Sequence, residues 1–358
     1  MQKYILILIC LSSFMIHLSC DLVMNSGKDK FSYDEELSNL VIYAYEIYSD
    51  TLAVVDLVTA KVLRRITTFD GIQSVMTNRS GSRLYVSTGK GHPGTNPGAI
   101  YEVNTRTWSH RKIYNNAAHL LSNRNGGIYF ITKIDTSPVR IFGSIDPDRG
   151  SIRELGTIDV QWRAFVDDDA IEIHPHKPVI YAINGDGILY RFNYETKTLT
   201  NMFRLDVPSM TLSWGGDTLY IPGGPVIDLF TEEMVGSIPV WWLGRLAARR
   251  DNKEAYITDP GSMIIGTQPS GKIFVYSPAV DRITDEIEIP IIDGEIVPTD
   301  RIILSPEERY AIVNDRMFSY LIIDLERREV VFSHRFVKNN VRTLSLEGFY
   351  LAPKPLRL

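Results

Sequence analysis

A short strand built around tyrosine recurs along this chain, and recurrence at near-constant spacing limits the fold more than any other feature of a sequence. It reads VIYAY from Val41, LYVST from Leu84, IYFIT from Ile128, IYAIN from Ile180, LYIPG from Leu219, AYITD from Ala255 and YAIVN from Tyr310. A spacing of roughly 35 to 55 residues is that of a four-stranded propeller blade plus its loops.

Each tyrosine strand is followed by an apolar strand that often ends in Asp or Asn: LAVVD at Leu52, IYEVN at Ile100, RIFGSID at Arg140, ILYRFN at Ile188, VIDLF at Val226, IFVYS at Ile273 and LIIDL at Leu321. A turn then leads to a further strand, ending at Ile66, Ile113, Ile158, Leu205, Ile238, Ile289 and Phe336. TLAVVDLVTAKVLRRI, residues 51–66, shows the pair, with Val58-Thr59-Ala60 at the turn. Between units lies an apolar strand closed by a polar turn, as in AIEIHPHKP from Ala170 or IILSPEERY from Ile302. The unit is therefore four strands of about five residues.

This order resembles the YVTN family of β-propeller repeats over residues 40–350, most closely at LYVSTG from Leu84 and VVDLVTAKVLRRI from Val54. The family's Gly and Pro before the inner strand are mostly absent, and blades three and five depart furthest. The resemblance implies an all-β propeller of four-stranded antiparallel blades, and the seven copies of the third and fourth strands make it seven-bladed. The first blade lacks an inner strand before Val41, and VRTLSLE, residues 341–347, is assigned to that place. A C-terminal inner strand closes the ring and removes its open edges. The expected blades are 40–68 plus 341–350, 69–115, 116–158, 159–206, 207–240, 241–290 and 291–337. Eight blades is the alternative, because FYLAP at Phe349 is a further tyrosine strand.

The chain has 358 residues, 44% of them hydrophobic, and a formal charge of -5, which argues against a nucleic-acid partner. Lys3 precedes YILILICLSSFMIHL, an apolar run shorter than a membrane span and typical of an export signal. Its end, IHLSC, resembles a bacterial lipobox ending at Cys20, with His17 departing from the pattern. Cys10 would leave with the signal, so Cys20 would be a lone thiol in an oxidising compartment, which lipidation explains. The expected organisation is a signal over 1–20, a tether over 21–39 and one propeller over 40–358, held in the cell envelope by a lipid at Cys20.

The loops leading into the inner strands, and those joining second to third strands, share one face. They place Gln73, His119, Arg163, Asp167, Asp168, Asp169, Ser209, Trp241, Trp242, Arg245, Asp300, Arg301 and Arg342 near its rim. The two longest insertions, GKGHPGTNPG from Gly89 and DPGSMIIGTQPSG from Asp259, fall there too. Trp241 and Trp242 with Arg245 are residue types enriched in binding hot spots, though Trp also wedges between sheets. Arg163, Arg245, Arg301 and Arg342 could grip an anion, or pair with Asp167, Asp168 and Asp300.

The run DDDAIEIHPHKP, residues 167–178, suggests a metal at first sight. The repeat register puts HPHK in the turn that SPEE and NRSG occupy elsewhere, a strand's length of about 17 Å from the Asp cluster. No metal or cofactor is expected. There is no G-x-S-x-G elbow, C-x-x-C pair or phosphate loop. The expected role is a non-enzymatic scaffold binding a protein or a small extracytoplasmic ligand at its loop face. The alternative is a hydrolase of the sugar-lactonase type using His119, Asp167, Asp168 and Asp300. A quinone-dependent dehydrogenase ranks lower, for want of a tryptophan-bearing blade repeat.

Overall fold

The computed structural model describes residues 35–46, 49–89, 98–116, 118–122, 125–132, 139–159, 170–184, 186–205, 209–240, 244–261, 268–292, 295–315, 319–338, 341–342, 344 and 348–355. For 139, 158–159, 292, 295, 337–338, 341–342 and 348 it describes the backbone alone. The chain forms a seven-bladed β-propeller, and the one described helix is the four-residue Glu35–Ser38.

Blades 2 to 7 take their four antiparallel strands in chain order, inner to outer, from residues 72–114, 118–159, 171–204, 211–237, 246–288 and 301–335. Blade 1 joins both ends of the chain in the order Gly348–Pro353, Leu40–Tyr45, Leu52–Asp56, Val62–Ile66. The closing strand is thus Gly348–Pro353 and not 341–347; Leu40 lies opposite Pro353 and Tyr45 opposite Gly348. Val341–Arg342 instead pairs with Val337–Lys338 in a separate two-stranded ladder. The reason is burial: Phe349 and Ala352 are both covered, Ala352 at 1% exposure. A segment alternating Arg, Thr, Ser and Glu could not be covered on two sides without stranding polar groups.

Seven hydrophobic clusters lie at the seven blade–blade seams. Leu40, Ile42 and Ala44 pack against Tyr310, Ile312 and Ile322 of blade 7. The alternate residues Val41, Tyr43 and Tyr45 pack against Ile72, Leu84 and Val86 of blade 2. The same division recurs round the ring. Second and third strands therefore have no solvent face, which is why they read as unbroken apolar runs. Outer strands such as Val62–Ile66 expose their charges.

The repeated Asp or Asn has a local duty. Oδ1 of Asp56 accepts from the amides of Val58 and Thr59 at 3.2 and 2.9 Å, and Asn104, Asp146, Asn193, Asp228 and Asp324 repeat this pattern. Four residues on, the backbone turns left-handed at Ala60, Trp108, Gly150, Lys197, Glu232, Asp281 and Arg328, with φ between 47 and 67°. A non-glycine residue there costs about 1 kcal/mol, and its side chain supplies the compensation by clasping the preceding blade. Trp108 lies 4.8 Å from the Arg64 guanidinium, Glu232 pairs with Arg191, and Asp281 accepts from the Ser237 amide at 3.2 Å. Arg328 pairs with Glu254, donates to the Tyr256 hydroxyl at 2.9 Å and lies 3.7 Å from Asp285.

The tyrosines work at the same seams. Tyr85 donates to the carbonyls of Asp146 and Pro147, which lie in the turn of blade 3. The third-strand Tyr320 donates to Leu57 O at 2.7 Å, which ties blade 7 to blade 1.

Two measurements probe these seams. Ala352→Asp places a charge in a seam and should cost at least about 3 kcal/mol in denaturant unfolding. Arg328→Gly relieves the left-handed strain but loses the clasp, for a net loss of about 1–2 kcal/mol, whereas Lys197→Gly should be neutral or stabilising by up to about 1 kcal/mol.

Candidate functional site

The two faces of the ring are built differently. The turn face repeats one short turn between the third and outer strands in every blade. The opposite, loop face receives the chain between the second and third strands, with gaps from 221–224 to 259–271, and between blades. Two two-stranded ladders stand on those blade-to-blade connections: Ile291–Ile292 with Glu295–Ile296, and Val337–Lys338 with Val341–Arg342. Each closes over two intervening residues, Asp293-Gly294 and Asn339-Asn340, sequences suited to the tightest hairpins. The ladders flank blade 7. Ile291 and Ile296 are exposed, at 67% and 42%.

The buried polar groups at this face hold neighbouring blades in register. Thr258 Oγ1 donates to Asp300 O at 2.8 Å and accepts from the Arg245 amide at 2.8 Å, so it fastens blade 6 to the start of blade 7. Ser209 Oγ donates to Gly244 O and Thr211 Oγ1 to Leu246 O, both at 3.0 Å, between blades 5 and 6. Ser74 Oγ accepts from the Leu120 amide at 2.9 Å between blades 2 and 3. Tyr45 donates to Gln73 O, and Gln73 Nε2 to Gly89 O, at the foot of one long insertion. Asp259 holds the foot of the other: its carboxylate accepts from the amides of Gly261 and Ser270 at 3.1 and 3.0 Å.

Arg245 and Asp300 are therefore neighbours, linked through Thr258 and both buried, at 7% and 8% exposure. Their main chains meet where blade 6 adjoins blade 7. Arg301 follows Asp300, half-buried, with Asn314 opposite it. His119 is half-buried near the start of the inner strand of blade 3, three blades from the Arg245–Asp300 pair by either route. Arg163, Asp167, Asp168, Asp169, Trp241, Trp242 and Cys20 lie outside the described residues, as does the Arg342 side chain.

Thr258 and the exposed Ile291–Ile296 ladder were missed by sequence reasoning. The Asp-Gly pair between Ile291-Ile292 and Glu295-Ile296 was the one local signal that could have found the ladder.

His174 and His176 sit in the turn face, as the repeat register requires. Nδ1 of His174 accepts from the amides of His176 and Lys177, both at 3.0 Å, and this is a structural duty. Among the described residues no three His, Cys, Asp or Glu side chains gather as a metal site would. Burial, with positive charge from Lys177 and His176, holds His174 down to about 4 from its usual 6.5.

No protein-family model matches this chain, and no curated protein does. Among solved structures it is similar to the dihydro-heme d1 dehydrogenase NirN in complex with DHE, at 13% identity and a TM-score of 0.55. That match covers 86% of this chain and 66% of NirN, so the chain spans just under two thirds of that relative's length. It is also similar to hydrazine synthase of Kuenenia stuttgartiensis, at 14% identity and a TM-score of 0.51, over 71% of this chain and 76% of that one. At such identities the likeness is one of fold.

The depressed His174 fixes the sign of a pH effect. Below pH 6.5 the unfolded chain takes up a proton that the folded chain refuses, so stability should decline from pH 6.5 down to about 4. Chemical denaturation at stepped pH measures this, and His174→Asn, which keeps an acceptor for the two amides, should flatten the slope. Thr258→Val should cost about 1–3 kcal/mol by unpairing groups in the blade 6–7 seam.

Proposed function

We propose that this chain is an exported propeller of the YVTN kind, lipid-anchored at Cys20, which binds a protein or a small extracytoplasmic ligand at its loop face. The observation that carries this reading is the asymmetry of the two faces. One face repeats a single turn seven times; the other carries both long insertions and both extra ladders. Irregular loops on a rigid scaffold are where binding residues concentrate. Exposed Ile291 and Ile296 supply apolar area there, and Trp241 and Trp242 belong to the connection between blades 5 and 6.

The names of both similar structures denote enzymes, but fold alone does not carry an activity across. A His–carboxylate pair of the lactonase type would need His119 within hydrogen-bond reach of its partner. The unevenness of the loop face, with its exposed Ile291, makes a binding face the better reading.

The test is a pull-down from membranes with mass spectrometry, comparing the unaltered protein with a Trp241→Ala/Trp242→Ala/Ile291→Ser variant of equal melting temperature. Arg245 is left intact because it is buried in a seam. A partner recovered only with the unaltered protein is expected. An identical partner list from both proteins would sink this face as the binding surface.

A further inference from the structure

The described chain begins on the turn face. Helix Glu35–Ser38 leads directly into Leu40, which lies opposite Pro353 at that end of blade 1. Glu36 accepts from the Glu307 amide in a turn of blade 7 at 2.8 Å, which pins the helix there. Between Cys20 and this helix lie residues 21–34. Fully extended, such a segment reaches at most about 50 Å. Rounding the rim to the loop face means crossing strands about 4.8 Å apart and climbing a strand of about 17–20 Å, which would use most of that length.

Two blades round the ring from blade 7, the turn face carries Phe230, the most exposed large hydrophobic side chain among the described residues. Phe230, in the turn of blade 5, is 88% exposed, and Val280, in the matching turn of blade 6, is 53% exposed. Met234 and Val235, at 55% and 57%, continue the patch onto the outer strand of blade 5. That strand, EMVGS, is bound to the turn of blade 6 through Ser237 and Asp281. Of the nearby carboxylates, Glu232 is paired with Arg191 and Asp281 accepts from Tyr276 at 2.6 Å, which leaves Glu233 facing solvent.

We infer that the ring stands on the bilayer by its turn face, the Phe230–Val280 rim of blades 5 and 6 seated in lipid and the loop face turned outward. This rests on the anchoring at Cys20 proposed above. The tether at blades 7 and 1 and the apolar rim centred on blade 5 are separate points on the ring, two blades apart, and two separated supports restrain its tilt. Aromatic and aliphatic groups of this kind sink about 5–10 Å into the interface. The loop-face partner is then a soluble molecule approaching from the aqueous side.

The test uses full-length protein, purified from membranes and returned to phosphatidylcholine vesicles, with a nitroxide on Thr231→Cys or on Ile291→Cys. Unsubstituted protein is the first arm and should take no label, because Cys20 is blocked. The label at 231 should gain oxygen access over a water-soluble nickel chelate several-fold on reconstitution, while the label at 291 stays water-exposed. A label at 231 that stays in water or loses access to both reagents, or one at 291 that enters lipid, overturns the orientation alone. Labelling of the unsubstituted protein would expose a free Cys20 and sink the anchor and the orientation together.

Discussion

The whole structure depends on apolar contact between consecutive blades. No blade here could stand alone, because its second and third strands are covered on both faces and each face needs a neighbour. Tyr43 and Ile42 are adjacent in sequence yet serve different seams. Burial at roughly 25 cal/mol per Å² therefore acts round the circle, and the ring is stable only when every seam is filled. The side-chain clasps and the hydroxyl-to-carbonyl bonds add little burial. They fix the angle at which one sheet meets the next.

The division of labour between the two faces follows from this. Left-handed residues and their clasps take up the turn face, where each position must satisfy both its own turn and the preceding blade. Such positions have little freedom to vary. The loop face carries no such double constraint beyond its inner layer of Thr258, Ser209 and Gln73, so insertions and hairpins collect there.

Much of the fold was legible in the sequence because its periodic elements carry a burial pattern. Tyrosine strands marked every blade and strands ending in Asp or Asn marked six of the seven, and the structure shows what each residue type does. The closing strand was misplaced because two short segments competed for it. VRTLSLE alternates in the way a half-exposed strand does, and an inner strand between two seams has no exposed half. The candidate site was less legible. Spacing could place Arg245 and Asp300 at the loop end of their strands, but not reveal that Thr258, from another strand, draws both into a seam.

The strand that completes blade 1 also fixes the order of events during synthesis. Asp56 is paired with Lys354, 298 residues later. At about 5–20 residues per second, blade 1 waits roughly 15 to 60 s for its fourth strand. Throughout that interval Leu40–Tyr45 offers an unpaired edge and, until blade 7 is made, one apolar face as well, the hazard that ring closure exists to remove. A nascent chain of this design has no finished ring to release early, so its survival in the cell rests on whatever protects it until Gly348–Pro353 arrives.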